Sequence, residues 1–297
     1  MIDELKTFIA VVEYKNFTKA AESINLSQPS VSLHIKHLET YFNVTLIQRS
    51  IKQKRIYITE SGNLLYERSK QILKLLEDTK DDLLDYNNVV KGRLHIGASF
   101  TIGEYFLPTF LGEFTKAYPN LELEVTIENT HNICEKVKKF EVDLALVEGT
   151  VPSYNFEINN FYKDTMVLAT AYNHNLVNRK FSIEDLENQT WISREIGSGT
   201  REYLNLFLST NNINAKNIIV FGSNYSVKEA VKNNLGITFI SSLVTENSLK
   251  NKEISILKTT QQYTRPFSYI FPKGIVPSKG TLVFIDMLKN YKKIKVV

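Results

Sequence analysis

Cysteine is almost missing from this chain. Cys134 is the one thiol among 297 residues, so no intramolecular disulfide can form and no cysteine-rich metal cluster can be built. Histidines are nearly as few, and His34, His37, His95, His131 and His174 show no metal-site spacing. No apolar run approaches the ~20 residues that span a bilayer. The opening Met1-Ile2-Asp3-Glu4-Leu5 places acids where a secretory leader has bases. A nucleophile elbow is also lacking, since Gly197-Ser198-Gly199 is only part of Gly-x-Ser-x-Gly. The expectation is a cytoplasmic, non-enzymatic protein with no cofactor, no metal and no membrane partner.

What is present suffices for two domains, each with its own core, because 43% of the residues are hydrophobic. The net charge of +4 says little, but its placement says more. Residues 1–59 carry eight Lys/Arg against five Asp/Glu, whereas residues 60–91 carry five against seven. Positive charge is thus densest at the N-terminus, where DNA phosphates would need it.

The first forty residues have helical periodicity. Leu5, Phe8, Ile9 and Val12 form one buried stripe. Asn16-Phe17 breaks it, and Thr18 can cap a second short helix carrying Ala20, Ala21 and Ile24. After the turn at Asn25-Leu26, Ser27 is a good N-cap for a third helix, with Pro29 in its first turn and Val31, Ile35 and Leu38 facing inward. Two helices, a turn and a polar-faced helix make a helix-turn-helix. Leu46-Ile47 and Ile56-Tyr57-Ile58 read as two short strands flanking a basic wing with Arg49, Lys52, Lys54 and Arg55. From 60 to about 88 a long helix places Leu65, Ile72, Leu76 and Leu83 on one heptad seam, with Ser69 and Thr79 as weaker members, which predicts a dimerisation helix.

Beyond Gly92 strands and helices alternate. Strands are expected at 93–98, 121–127, 142–147, 166–171, 191–193, 218–221, 236–240 and 269–271, and helices at 104–117, 132–140, from 200, 227–233 and 282–291. Such cycles predict parallel sheets with helices on both faces, arranged as two lobes around a cleft.

Ala20-Ala21-Glu22, Leu26-Ser27-Gln28-Pro29-Ser30-Val31-Ser32, Ile35 and Leu38-Glu39 closely resemble the signature of the LysR family. Leu46-Ile47-Gln48-Arg49 and Thr59-Glu60-Ser61-Gly62 continue the match. The resemblance implies an α/β chain with an N-terminal winged helix-turn-helix (1–59), a linker helix (60–90) and a two-lobed, periplasmic-binding-protein-like effector domain (91–297). Lobe I would comprise about 91–162 and 267–297, and lobe II about 163–266. It also implies a homodimer or homotetramer on double-stranded operator DNA, responding to a small-molecule effector, with RNA polymerase as a candidate partner. The other readings open at this point are a two-lobed solute-binding protein and an architectural DNA-binding protein without a ligand.

The inward set Val31, Ile35 and Leu38 leaves Pro29, Ser32, Leu33 and Lys36 on the opposite face, with Gln28 at its start. That face would enter the major groove. Gln28 can pair with adenine, and Ser32 with bases or phosphate. Lys36, Arg49, Lys54 and Arg55 suit phosphate contacts, which fix register without reading sequence. Leu33 cannot hydrogen-bond to a base; it either touches a thymine methyl or packs elsewhere. Thr18, Ser27 and Ser30 complete the candidate DNA contacts.

Three segments open helices directly or nearly so: Ser99-Phe100-Thr101, Glu128-Asn129-Thr130 and Ser198-Gly199-Thr200-Arg201. Helix N-termini favour anions, and hydroxyls add neutral donors. Ser99-Phe100-Thr101-Ile102-Gly103-Glu104-Tyr105, Val147-Glu148-Gly149 and Ser193-Arg194-Glu195-Ile196-Gly197-Ser198-Gly199-Thr200-Arg201 together resemble the LysR subgroup that governs sulfur assimilation and carbon fixation. That resemblance implies a small oxyanion, such as sulfite or sulfate, or a phosphorylated metabolite, with Ser99, Thr101, Thr130 and Thr200 lining the pocket. Phe100, Ser198, Gly199 and Arg201 complete the expected site. Glu148 opposes it, because a carboxylate repels an anion. Either Arg201 or Arg194 neutralises it, or it binds an amine or hydroxyl of a larger ligand.

Overall fold

The computed structural model describes residues 1–50, 55–84, 90–177, 179–259 and 261–291. The chain divides into two compact units, Met1–Tyr86 and Asn87–Val297. In the first, α1 (Ile2–Tyr14), α2 (Phe17–Ser23) and α3 (Gln28–Phe42) are followed by the hairpin β1 (Ile47–Ser50) and β2 (Arg55–Ile58), then by α4 (Glu60–Leu84). Ser27 caps α3 as expected, accepting from the Ser30 N–H, and Pro29 sits in the first turn. The cap of α2 is Asn16 rather than Thr18. Its side-chain oxygen accepts from the Thr18 and Lys19 N–H groups, so the helix starts one residue before Thr18.

Leu5, Phe8, Ala10 and Val11 are buried with Ala20, Ala21, Val31, Ile35, Leu38, Leu46 and Ile47. Ile9 and Val12, expected in the buried stripe, are only half-buried. Helix α1 packs against α2, α3 and α4, so its buried arc is centred elsewhere and takes in Ala10 and Val11. The start of α4 belongs to this same core: Leu65 and Tyr66 pack on it, the Tyr66 hydroxyl donates to Glu13, and Lys70 pairs with Glu13 at 3.0 Å. Further along, Ile72, Leu75, Leu76 and Leu83 are exposed.

The second unit runs β3 (Gly92–Ser99), α5 (Phe100–Tyr105), α6 (Leu107–Ala117), β4 (Leu121–Glu128), α7 (Thr130–Lys138), β5 (Leu144–Glu148) and β6 (Phe156–Ala171). It continues with α8 (Ile183–Glu187), β7 (Thr190–Arg194), α9 (Gly199–Thr210), β8 (Asn217–Phe221), α10 (Asn224–Lys232), β9 (Thr238–Ser241) and α11 (Ser242–Lys250). It closes with β10 (Ile254–Leu257), β11 (Tyr263–Pro272) and α12 (Lys279–Asn290). Where one helix was expected over 104–117 there are two. Pro108 lacks the N–H that would bond back to the Glu104 carbonyl, and the chain breaks at Phe106.

The sheet is mixed, not parallel throughout. Strand order is β10-β6-β11-β5-β3-β4, with β9 also on β6, and a separate parallel pair β7-β8. Strands β3, β4 and β5 are parallel, but β6 and β11 are long antiparallel partners that serve both lobes. One end of β11 pairs with β5, while the far end of β6 pairs with β9 and β10. Only the apolar end of β6 was legible; its first half interleaves Asn159, Asn160, Lys163 and Asp164. One lobe is built on Phe106, Phe110, Phe114 and Phe284, the other on Trp191, Phe207, Phe239 and Leu204.

Candidate functional site

Helix α3 presents the expected polar face. Gln28, Pro29, Leu33 and Lys36 are exposed, Ser32 is half-buried, and Gln28 donates to the Ser32 hydroxyl at 2.9 Å. The Ser27 and Ser30 hydroxyls bond to each other at 2.8 Å while Ser27 caps the helix, so both help to build the helix start. Thr18 is exposed at the start of α2. Leu33 is 51% exposed, which leaves it available to an outside partner. His34 and His37 make contacts to α1: His34 meets the Thr7 hydroxyl at 2.8 Å, and His37 lies 3.3 Å from Glu4. Arg49 and Arg55 fall on the two strands of the wing hairpin, opposite Ile56 and Ser50 respectively. Lys52 and Lys54 lie outside the described residues.

In the second unit, the ends of β3, β5 and β7 and the starts of α5, α7, α9 and α10 converge. Ser99, Thr101, Thr130, Glu148, Ser198 and Thr200 are all buried there, and Phe100 is half-buried. Their hydroxyls do not serve as simple helix caps. Neither Ser99 nor Ser198 makes a side-chain cap hydrogen bond, and α7 is capped by Asn129 instead. Ser99 donates to the Glu148 carboxylate, and Thr130 donates to the Glu148 backbone carbonyl at 2.7 Å. Gly199 packs directly on that same peptide: a Cβ there would lie 2.2 Å from the Glu148 carbonyl oxygen. Gly149 (φ +99°) takes a backbone form that side chains rarely adopt, and it too abuts Gly199.

The charge that organises these groups is Arg265. It is fully buried, and each of its three nitrogens donates to one acceptor. Nε donates to Asp164 at 2.7 Å, Nη1 to the Thr200 hydroxyl at 3.2 Å, and Nη2 to the Thr101 hydroxyl at 3.1 Å. Glu148 lies 3.8 Å from Nη1. Arg265 therefore ties a hydroxyl of one lobe to a hydroxyl of the other. Burying ions costs several kcal/mol each unless geometry and hydrogen bonds compensate, and here every partner is placed. Asp164 takes a second bond from the Ser241 hydroxyl at 2.7 Å. Burial still pushes the Asp164 carboxyl above the usual carboxylate range, against the pull of Arg265.

Neither of the arginines expected to neutralise Glu148 does so. Arg194 is buried, forks onto Glu195 at 2.8 Å, donates to Asn224 at 2.8 Å and stacks 4.5 Å over the Phe100 ring. Burial would raise the Glu195 carboxyl, but Arg194, a backbone N–H and the Asn129 amide together hold it below its ordinary value. Arg201 turns to the Ser193 hydroxyl at 2.9 Å and the Arg194 carbonyl at 3.2 Å. Arg265, Asp164 and Asn224 were not expected from sequence. Asn224, also fully buried, donates to Thr101 at 3.0 Å and so links that hydroxyl to Arg194.

Comparison with known proteins agrees with both units. Residues 2–63 match the family described as bacterial regulatory helix-turn-helix protein, lysR family, and residues 87–293 match the LysR substrate binding domain. The chain is 46% identical over 293 residues to the HTH-type transcriptional regulator CysL of Bacillus subtilis, covering 98% of this chain and 97% of that protein. It is 33% identical to the HTH-type transcriptional activator CmpR of Synechocystis over 241 residues, which is 81% of this chain and 78% of that protein. Among solved structures, the Synechocystis CcmR regulatory domain in complex with 2-PG superposes with a TM-score of 0.62 at 26% identity, covering 69% of this chain and 99% of that one. The helix-turn-helix sets aside the solute-binding-protein reading. The chain belongs to the LysR family: it is a transcription regulator, not an enzyme, with an N-terminal helix-turn-helix and a two-lobed effector-binding domain.

Proposed function

We propose that this regulator senses a small anion, a sulfur oxyanion such as sulfite or sulfate or a phosphorylated metabolite, in the cleft between the lobes of its second unit. Arg265 is the anchor, with Ser99, Thr101, Thr130 and Thr200 as neutral donors. The observation that carries this reading is the guanidinium held between Thr101 and Thr200, one from each lobe. A cation joined to both lobes converts ligand charge into lobe angle. The CcmR regulatory domain is in complex with 2-PG, a ligand held by a domain of the same fold, and the likeness to CysL and CmpR supports a link to sulfur or carbon metabolism.

An incoming anion competes with Glu148 for Ser99 and Arg265. Binding then releases Glu148 from the interface, and the lobes resettle. The effector biases this equilibrium only by its differential affinity for the two arrangements, typically about 1–3 kcal/mol. A second reading, favoured by the buried Glu148 carboxylate, is a larger ligand that brings an amine or hydroxyl to that group.

At the DNA end, Gln28, Ser32 and Leu33 on α3 read base edges, while Lys36, Arg49, Lys54 and Arg55 hold phosphates. Two copies pair through the exposed Ile72, Leu76 and Leu83 face of α4, as a homodimer or within a homotetramer. The boundaries of action are 1–59 for DNA, 60–90 for pairing and 91–297 for the effector. Measuring operator bend by circular permutation, with and without the candidate anions, tests the scheme. The bend changes with the true effector; a bend that stays the same with every anion defeats it.

A further inference from the structure

Away from the cleft, the second lobe holds a cavity of about 800 Å³. Its walls come from the segment before α8, the C-terminal end of α9, the end of β10 and the start of β11. The floor is apolar and aromatic: Leu176, Phe181, Leu186, Phe207, Ile213 and Tyr263. Lys180 and Lys258, both exposed, line it as well. A third cation there, Arg179, is held by Asp185 at 2.9 Å. The size falls within the range of about 300–1,000 Å³ usual for small-molecule sites. An apolar floor with two exposed lysines at its wall suits a ligand with two unlike ends.

The geometry points to a second ligand site in this lobe, for a small amphipathic anion: an apolar or aromatic body carrying one carboxylate, sulfonate or phosphate. The body packs against the half-buried Val177 and Phe181, over the buried Phe207, and the acidic group meets Lys180 and Lys258. Asn211 and Tyr263, hydrogen-bonded to each other at 3.0 Å, offer the body one polar contact.

The site is built on the elements that also hold the cleft. Thr200 and the cavity residue Phe207 lie on α9, about 10 Å apart at 1.5 Å per residue. On β11, Tyr263 and Arg265 are two residues apart and so share a face. Tyr263 packs edge-on against Phe207, with centroids 5.1 Å apart, while Arg265 lies 5.9 Å from the Tyr203 ring of α9. The binding proposal does not depend on the cleft reading, and its test leaves the cleft untouched.

The probe is 8-anilinonaphthalene-1-sulfonate, titrated by fluorescence into the full chain. Three variants accompany the parent: Val177→Trp, which fills the cavity; Lys180→Glu/Lys258→Glu, which reverses its charge; and Lys116→Glu/Lys139→Glu, which makes the same change in net charge on exposed positions of the other lobe. The expected result is a saturable site, lost in the Val177→Trp variant, weakened tenfold or more by Lys180→Glu/Lys258→Glu, and kept by the distant pair. Circular dichroism checks that each variant is folded. Equal binding by the parent, the charge-reversed cavity and Val177→Trp overturns the proposal, as does equal weakening by both lysine pairs.

Discussion

Arg265 and Asp164 stand directly opposite each other on β11 and β6, and the guanidinium Nε donates to the carboxylate at 2.7 Å. Both are fully buried on the two strands shared by the lobes. Removing one partner strands the other charge in the interior. Arg265→Gln and Asp164→Asn are each expected to destabilise the effector domain by about 3–5 kcal/mol in urea titrations. The double variant should lose less than the two singles added together, since the second change no longer breaks an intact pair.

The raised Asp164 carboxyl sets a pH dependence. A carboxyl held above its unfolded value of 3.8 favours the protonated form in the fold. The folded state then binds more protons than the unfolded one, so this group's contribution falls as pH rises from about 3.8 through the folded value. Urea midpoints between pH 4 and pH 7 should show this slope for the parent. It should be absent in Asp164→Asn, once the other acids are accounted for by the difference between the two curves.

Gly199 tests how closely the lobes approach. Its Cβ position is already occupied by the Glu148 carbonyl, so Gly199→Ala must push the start of α9 and the end of β5 apart. A loss of about 1–3 kcal/mol is expected, with increased proteolysis in the cleft segments. An unchanged urea midpoint would mean that the lobes can separate freely at this point.

The arrangement around Arg265 shows what sequence could and could not disclose. The helix starts were legible because strand, hydroxyl and helix follow one another within a few residues at Ser99, Thr101, Thr130 and Thr200, and because Ser27 follows a tight turn and precedes Pro29. Arg265 and Asp164 were not, because 101 residues separate them. Only the register of two antiparallel strands brings them together, and no local pattern encodes it. Glu148 was recognised as an unpaired problem, but its partner was sought among sequence neighbours of the cleft, Arg194 and Arg201. Those guanidiniums are taken up by other groups, Arg194 by Glu195, Asn224 and the Phe100 ring and Arg201 by the Ser193 hydroxyl and the Arg194 carbonyl. Heptad spacing likewise marked α4 but could not tell Leu65, which packs on its own domain, from the exposed Ile72, Leu76 and Leu83.

On the DNA face, Lys36→Ala should weaken binding to all sequences alike and lower the slope of log K against log salt by about 1. Leu33→Ala should instead change the ranking of thymine-substituted operators, leaving the slope as it was. Fluorescence anisotropy over a salt series separates the two effects. A Leu33→Ala variant with unaltered relative affinities removes the thymine-methyl contact from the account.

The α4 face makes its own prediction. Leu76→Lys puts a charge into the exposed apolar seam and should lower the assembly state in sedimentation equilibrium, without unfolding a helix that is already solvated at that position.

The most direct test of the central claim is thermal unfolding of the full chain against sulfite, sulfate, thiosulfate, phosphate and small phosphorylated acids and sugars. Parent, Thr200→Ala and Arg265→Gln should be run together, each checked for folding by circular dichroism. Anion anchoring by Arg265 predicts that one of these compounds raises the melting temperature of the parent, less that of Thr200→Ala, and not that of Arg265→Gln. A flat response of the parent to every anion, or the same rise in folded Arg265→Gln, would contradict it.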